Sequence, residues 1–233
     1  MKSLLLLSTV AILGLILGGP AAQAQTGQYW PEIDTYVGIN DHMRFSFTAA
    51  ATKESRNATD AELGPNFDLY FNRFRKLKKI AGPLLDESRS RRLIFRVGYR
   101  YLPSTSGIAT NRLFFEVTGR HSLKGGLLVS DRNRGEINFE QGESYRRYRN
   151  RISMERALAI GRFRFVPYAR AEFYYDTRYS KFSRTAVDFG TVFPIGRRFE
   201  LEPYYEHQND TAKSPSRQVN ALGFVLSIYF RSQ

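Results

Sequence analysis

Cysteine is absent from the 233 residues, so no disulfide framework, thiolate nucleophile or Cys-ligated zinc site is available. Histidine occurs three times, which leaves few general bases and few metal ligands. Long apolar runs are missing after the first two dozen residues, and a mean hydropathy of −0.41 excludes a helical membrane bundle. Lysine is scarce too: of 35 basic residues, 27 are Arg and only 8 are Lys. Lysine is the usual solvating cation and Arg the usual partner of desolvated carboxylates, so this bias points to charges that are meant to be paired. Acidic residues number 22, giving a net charge of +13. Aromatics make up 14% of the chain, which argues for a packed fold over a disordered one.

Met1-Lys2, the apolar run Leu4 to Leu17 and the small-x-small site Ala22-Gln23-Ala24 read as a secretory signal peptide over residues 1–24, cleaved after Ala24. A membrane anchor would need a run of about 20 residues and a basic stop-transfer flank. Loss of Lys2 leaves a charge of +12 on residues 25–233, which form a single domain.

Period two runs through that domain. Leu222, Phe224, Leu226, Ile228 and Phe230 form one apolar face; Phe163, Phe165, Pro167, Ala169, Ala171, Phe173 and Tyr175 form another, opposed by Arg162, Arg164, Tyr168, Arg170 and Glu172. A helical period does not fit these positions and an alternating strand does. Similar runs cover Met43 to Ala51, Phe67 to Phe71, Leu93 to Tyr101, Asn111 to Arg120, Arg147 to Glu155, Ser183 to Phe193 and Arg198 to His207. Short turns at Lys124-Gly125-Gly126, Ala159-Ile160-Gly161 and Pro194-Ile195-Gly196 alternate with longer polar stretches, among them Asn133 to Ser144. That is the pattern of an all-β, antiparallel up-and-down barrel. Arg162-Phe163, Pro167-Tyr168 and Glu172 are echoed 36 residues on by Arg198-Phe199, Pro203-Tyr204 and Glu206, and the two prolines predict local bulges or kinks.

Alternation alone leaves two barrels open: a membrane barrel with its charged face inward, and a periplasmic or secreted soluble barrel with that face outward. Strands near ten residues long favour the transmembrane barrel, as does a charged face of Arg with acids. The charge ladder assigned to the lumen is Arg96, Arg100, Arg112, Glu116, Arg120, Arg147, Arg149, Arg151, Glu155, Arg164, Arg170, Glu172, Asp188, Glu200, Glu202 and Glu206. The last strand, Leu222, Phe224, Leu226, Ile228 and Phe230, looks like the aromatic-terminated strand read by the outer-membrane assembly machinery, with Arg231-Ser232-Gln233 beyond it. Eleven runs emerge if Trp30 to Ile39 and Gly126 to Arg132 are both counted. Single-chain bacterial barrels have even numbers, so ten strands, with the Trp30 segment at the rim or in the lumen, or twelve are expected. Lys76 to Arg91 becomes an unusually long connection at the end that carries the short turns.

The strings Asp131-Arg132-Asn133-Arg134, Tyr148-Arg149-Asn150-Arg151 with Glu155-Arg156, Pro167-Tyr168 through Asp176, and Leu222-Gly223 through Phe230 resemble the domain-of-unknown-function family "twenty-four ninety". Trp30-Pro31-Glu32 and Arg96 to Tyr101 do so as well, and the similarity covers essentially all of residues 25–233. The resemblance implies a Gram-negative outer-membrane β-barrel and implies no known activity.

The residues themselves present no catalytic set and no cofactor site. A lipid- or lipopolysaccharide-modifying esterase would have to be built on His207 with Glu206 and a loop serine, Ser214 or Ser216, while His42 and His121 read as rim residues. No metal motif is present. Basic residues interleaved with acids at alternate strand positions do not read as a nucleic-acid surface despite a pI near 10.1. The expected partners are outer-membrane lipid, lipopolysaccharide and the assembly machinery. Two functional readings remain: a structural barrel whose charges close its lumen, and a small pore or transport barrel in which surplus Arg, notably Arg147, Arg149, Arg151, Arg162 and Arg164, gives weak anion preference.

Overall fold

The computed structural model describes residues 25–54, 60–74, 85–104, 107–212 and 215–231. The expected signal peptide and most of the connection beginning at Lys76 lie outside them. Twelve strands follow one another: β1 (Gln25–Asn40), β2 (Met43–Glu54), β3 (Asp60–Arg73), β4 (Arg91–Leu102), β5 (Thr110–Ser122), β6 (Leu127–Glu140), β7 (Glu143–Arg156), β8 (Leu158–Ile160), β9 (Phe163–Asp176), β10 (Lys181–Ile195), β11 (Phe199–Asp210) and β12 (Arg217–Arg231). Neighbours in sequence pair antiparallel, and β1 closes the sheet by pairing in parallel with β12, from Gln25 opposite Gln218 to Gly38 opposite Arg231. Strand β8 is the tail of β7: both pair with β9 in one register, Glu155 opposite Tyr168 and then Leu158 opposite Phe165. The wall therefore has eleven strands, so the expected count of ten or twelve needs correcting. The Trp30 to Ile39 segment is part of β1 in the wall and does not sit at the rim or in the lumen. Parallel closure is what allows an odd number.

The two ends differ. At one, hereafter the turn end, lie the turns Asp41-His42, Gly161-Arg162 and 196–198, the β5–β6 turn and the end of β12. The other, the loop end, holds the start of β1 and the connections 103–109, 177–180 and 211–216. The expected loop at Asn133 to Ser144 is a correction: β6 runs on to Glu140 and turns through Gln141 and Gly142 alone. Both turn residues have positive φ, 51° and 86°, the geometry of a tight type I′ hairpin.

Alternation sorts the wall into two faces. Outward residues include Ile33, Phe45, Val97, Leu113, Phe115, Ile152, Met154, Leu222, Phe224 and Phe230, all between 41% and 58% exposed. Inward residues are mostly charged, polar or aromatic, with a few aliphatic side chains such as Ile94, Val166 and Val192. Pro167 and Pro203 produce no bulge: the register between β10 and β11 is the same on both sides of Pro203, and only the pairing opposite it is interrupted. The sequence echo around them builds a repeated joint. Tyr168 lies on Gly190 of β10 and Tyr204 on Gly223 of β12, where a Cβ would collide with the Tyr168 hydroxyl and with the Tyr204 ring. Glycine is required at both positions because the neighbouring ring occupies that space.

Candidate functional site

The interior is a network of guanidiniums and carboxylates. On β2 to β4, Asp68 accepts from Arg44 at 2.7 Å and from Arg96 at 2.6 Å. Farther round, Glu62 pairs with Arg100 at 3.1 Å and Arg112 at 3.3 Å, and Arg112 reaches Glu136 at 3.5 Å. Glu136 meets Arg149 at 3.0 Å, and Glu172 gathers Arg149, Arg132 and Arg151 at 2.9, 2.9 and 2.6 Å. Glu116 binds Arg134 at 2.6 Å. On β9 to β11, Arg170 joins Glu202 at 2.9 Å and Asp188 at 3.6 Å. Contacts such as Arg132 on β6 to Glu172 on β9 pass over the intervening β7, which places these side chains inside the barrel. Asp68, Asn138, Glu172 and Asp176 are at most 1% exposed. Charges this far from water must be paired to persist.

Of the residues assigned to the lumen from sequence, Arg96, Arg100, Arg112, Glu116, Arg147, Arg149, Arg151, Arg170, Glu172, Asp188 and Glu202 join these clusters. Arg147 pairs with Asp176 at 3.1 Å. Glu206 is buried beside them. Arg164 stands apart: it is exposed beside the Gly161-Arg162 turn. Arg100 also fills a backbone gap, donating to the carbonyls of Gly64 and Tyr99, where Pro65 interrupts pairing between β3 and β4. Arg44, Asp68, Arg132, Arg134 and Glu136 were not assigned. Arg134 and Glu136 fall in 133 to 144, which reads as a loop, and Arg132 closes the run before it; the alternation with Phe45 and Phe67 is the signal available for Arg44 and Asp68.

Arg120, Glu155 and Glu200 face a different element. The described part of the long connection, Leu85 to Ser90, crosses the turn end as a 3-10 turn, Glu87–Ser90, capped by Asp86. Asp86 pairs with Arg44 of β2 at 2.7 Å. Glu200 of β11 accepts from the Leu85 amide at 2.8 Å. Arg89 lies 3.9 Å from Glu155 of β7, and Arg120 of β5 donates to the Ser88 carbonyl. Four separate strands thus hold one segment across the mouth. Burial alone would raise the Asp86 carboxyl, but Arg44, Arg89 and Arg120 and a hydrogen bond from Ser88 outweigh it and hold it well below the usual carboxylate range. Burial opposes the charge on Arg89 as well, and Glu155, Glu200 and Asp86 more than compensate, keeping it charged.

The surplus of Arg sits outside this network. Arg73, Arg92, Lys124, Arg156, Arg162, Arg164, Arg197 and Arg198 are exposed around the turn end, where the described acids at the surface are Asp41 and Glu87. A lumen lined by Arg147, Arg149 and Arg151 as free cations is not what the geometry presents, because each has a carboxylate partner. The esterase grouping is not assembled: Glu206 is buried inside, whereas His207 is on the outer face against Asn220 at 2.8 Å. Ser214 lies outside the described residues. The C-terminal apolar set, Leu222 to Phe230, faces outward along β12.

Fold and interior together define an eleven-stranded up-and-down β-barrel with a charge-paired core. The sequence profile of the family described as "Protein of unknown function (DUF2490)" matches residues 27–220, and the chain belongs to that family. A search of curated proteins finds no match. Among solved structures, the chain is similar to a bacterial polysaccharide outer membrane secretin at 9% identity and a TM-score of 0.49. That alignment covers 77% of this chain and 62% of the other, so the chain spans less than two thirds of that protein's length. It is also similar to the beta domain of the Bordetella autotransporter BrkA, at 11% identity and TM-score 0.43, covering 73% and 78% of the two chains. A third match is the Vibrio cholerae outer membrane protein OmpT, at 10% identity and TM-score 0.32, covering 74% and 77%.

Proposed function

We propose that this chain is an integral outer-membrane barrel with a sealed interior, exported by its N-terminal signal peptide and inserted with its turn end toward the periplasm. The apolar outer face supports membrane insertion. Wall strands of 12 to 16 residues, at about 3.4 Å per residue and a tilt of about 40°, rise about 30 Å or more, enough to cross the hydrocarbon. Lipid and lipopolysaccharide are the partners of that face, and β12 with its outward Leu222 to Phe230 is the strand offered to the assembly machinery. The observation that carries the sealed reading is the Leu85 to Ser90 segment, fastened to β2, β5, β7 and β11 across the mouth of a barrel most of whose interior guanidiniums are paired with carboxylates.

Planar-bilayer recording with purified protein tests it. The unmodified barrel is expected to give no conductance steps, and the double variant Arg120→Ala, Asp86→Ala is expected to leak. Regular ion-sized steps from the unmodified protein would overturn the sealed reading. One observation favours the other reading, a weakly anion-selective pore: eight exposed cations against two acids at the turn end attract anions to that mouth. Anion-preferring steps from the unmodified protein would establish it.

A further inference from the structure

The paired strings Asp131-Arg132-Asn133-Arg134 and Tyr148-Arg149-Asn150-Arg151 send their arginines inward, which leaves their other members on the outer wall. Asn133 stands directly opposite Asn150. Asn150 Nδ2 donates to Asp131 Oδ1 at 2.7 Å and to Asn133 Oδ1 at 3.1 Å, and the Tyr148 hydroxyl donates to that same Asn133 oxygen. This polar island lies at the middle of the wall, since Asn133 is the seventh residue of the 14-residue β6. Apolar side chains flank it toward both ends: Ile137 and Phe139 on one side, Ile152 and Met154 on the other, each 41% to 50% exposed. Among the described residues, Asp131 is the one outward-facing charge away from the strand ends; Lys53, Arg73, Arg146 and Arg156 are near them.

We propose that a second copy of this chain covers the island, so that two barrels pair side by side through β6 and β7. The proposal rests on the membrane reading above, because only in hydrocarbon do these groups lack water. Lipid tails supply neither donors nor acceptors. A second island supplies both. Once the internal bonds are made, Asp131 Oδ2 and Asn150 Oδ1 remain as acceptors and Asn133 Nδ2 as a donor, so the patch is complementary to itself, as a two-fold contact requires. Gly119 and Gly135 border it, with open space where a Cβ would stand, and small residues let two walls approach closely.

The absence of native cysteine makes the test direct, because any disulfide must join introduced residues. Gly135→Cys, at the island, is expected to give mostly covalent dimer on oxidation of intact membranes. Ile33→Cys, at mid-height of β1 on the far side of the barrel, is expected to stay monomeric. Each variant is first checked for folding by heat-modifiable migration. The double variant Asp131→Ala, Asn133→Ala is expected to self-associate about tenfold more weakly in bilayers. The proposal is overturned if folded Gly135→Cys links no more than Ile33→Cys, or if the double variant associates like the unmodified chain. Failure of the membrane reading would appear separately, as protein recovered in the soluble fraction, and would remove the reason for the contact.

Discussion

Arg132 of β6 and Arg151 of β7 stand directly opposite each other on neighbouring strands, and both donate to the same carboxylate, Glu172 of β9. Arg134 and Arg149 repeat the juxtaposition one row on, with Glu116 and Glu136 as the acids. Like charges paired across a sheet repel, so these two strands can pair only because carboxylates from β5, β6 and β9 reach between the guanidiniums. Strand pairing and interior charge are one structure here.

Replacing Glu172 with Gln tests that statement. Three partly buried guanidiniums would lose their common, fully buried anion while the shape of the side chain and its contact with the Tyr174 hydroxyl are kept. Breaking a buried network from one side costs about 3–5 kcal/mol, and a loss of that size in urea unfolding of the refolded barrel is expected. Arg164→Gln, at the exposed start of β9, is expected to change stability by less than about 0.5 kcal/mol.

Acid should release the segment across the turn end, and only strong acid. Because the Asp86 carboxyl is held below its ordinary range, its contribution is fully present above the unfolded value near 3.9 and is lost as pH falls through the lower folded value. The Ser88 amide, which donates to Asp86 at 3.0 Å, reports this state. Its protection from hydrogen exchange, corrected for intrinsic rates, is expected to hold at pH 5 and to decline below about pH 4. In Asp86→Asn the protection is expected to be lower and flat over the same range; an unchanged decline would assign the transition to another group.

How much of this was legible in the sequence differs from strand to strand. The wall was readable wherever one face is apolar, as in Phe163 to Tyr175 or Leu222 to Phe230, because period two then separates the faces. It failed at Asn133 to Glu140, where Arg134, Glu136 and Asn138 point inward, because the outward Asn133 and Gly135 interrupt the apolar set and leave only Ile137 and Phe139 to carry the contrast. The charge ladder was legible as a set of inward positions, since alternation fixes parity. Which acid meets which Arg was not, because pairs such as Arg132 with Glu172 skip a strand and depend on stagger and barrel radius. The Tyr168 and Tyr204 echo was visible only as a repeat; its meaning lies in Gly190 and Gly223, on strands the repeat does not contain. The role of Asp86 depends on a connection folding back across the mouth, which no local pattern encodes.

The parallel seam between β1 and β12 makes the sharpest topological prediction. An even barrel returns its chain to the end where it began, so both termini share one side of the membrane. Here eleven strands separate them: β1 begins at the loop end with Gln25, and β12 finishes at the turn end with Arg231. With the turn end toward the periplasm, an epitope placed directly before Gln25, downstream of the expected cleavage site, should be reached by antibody or protease on intact cells. An epitope after Gln233 should be reached only after the outer membrane is permeabilised. A ten- or twelve-stranded wall would shield both until permeabilisation, because its first strand would start at the periplasmic end. Shielding of both epitopes in folded, heat-modifiable protein would therefore overturn the parallel closure and, with it, the eleven-strand count.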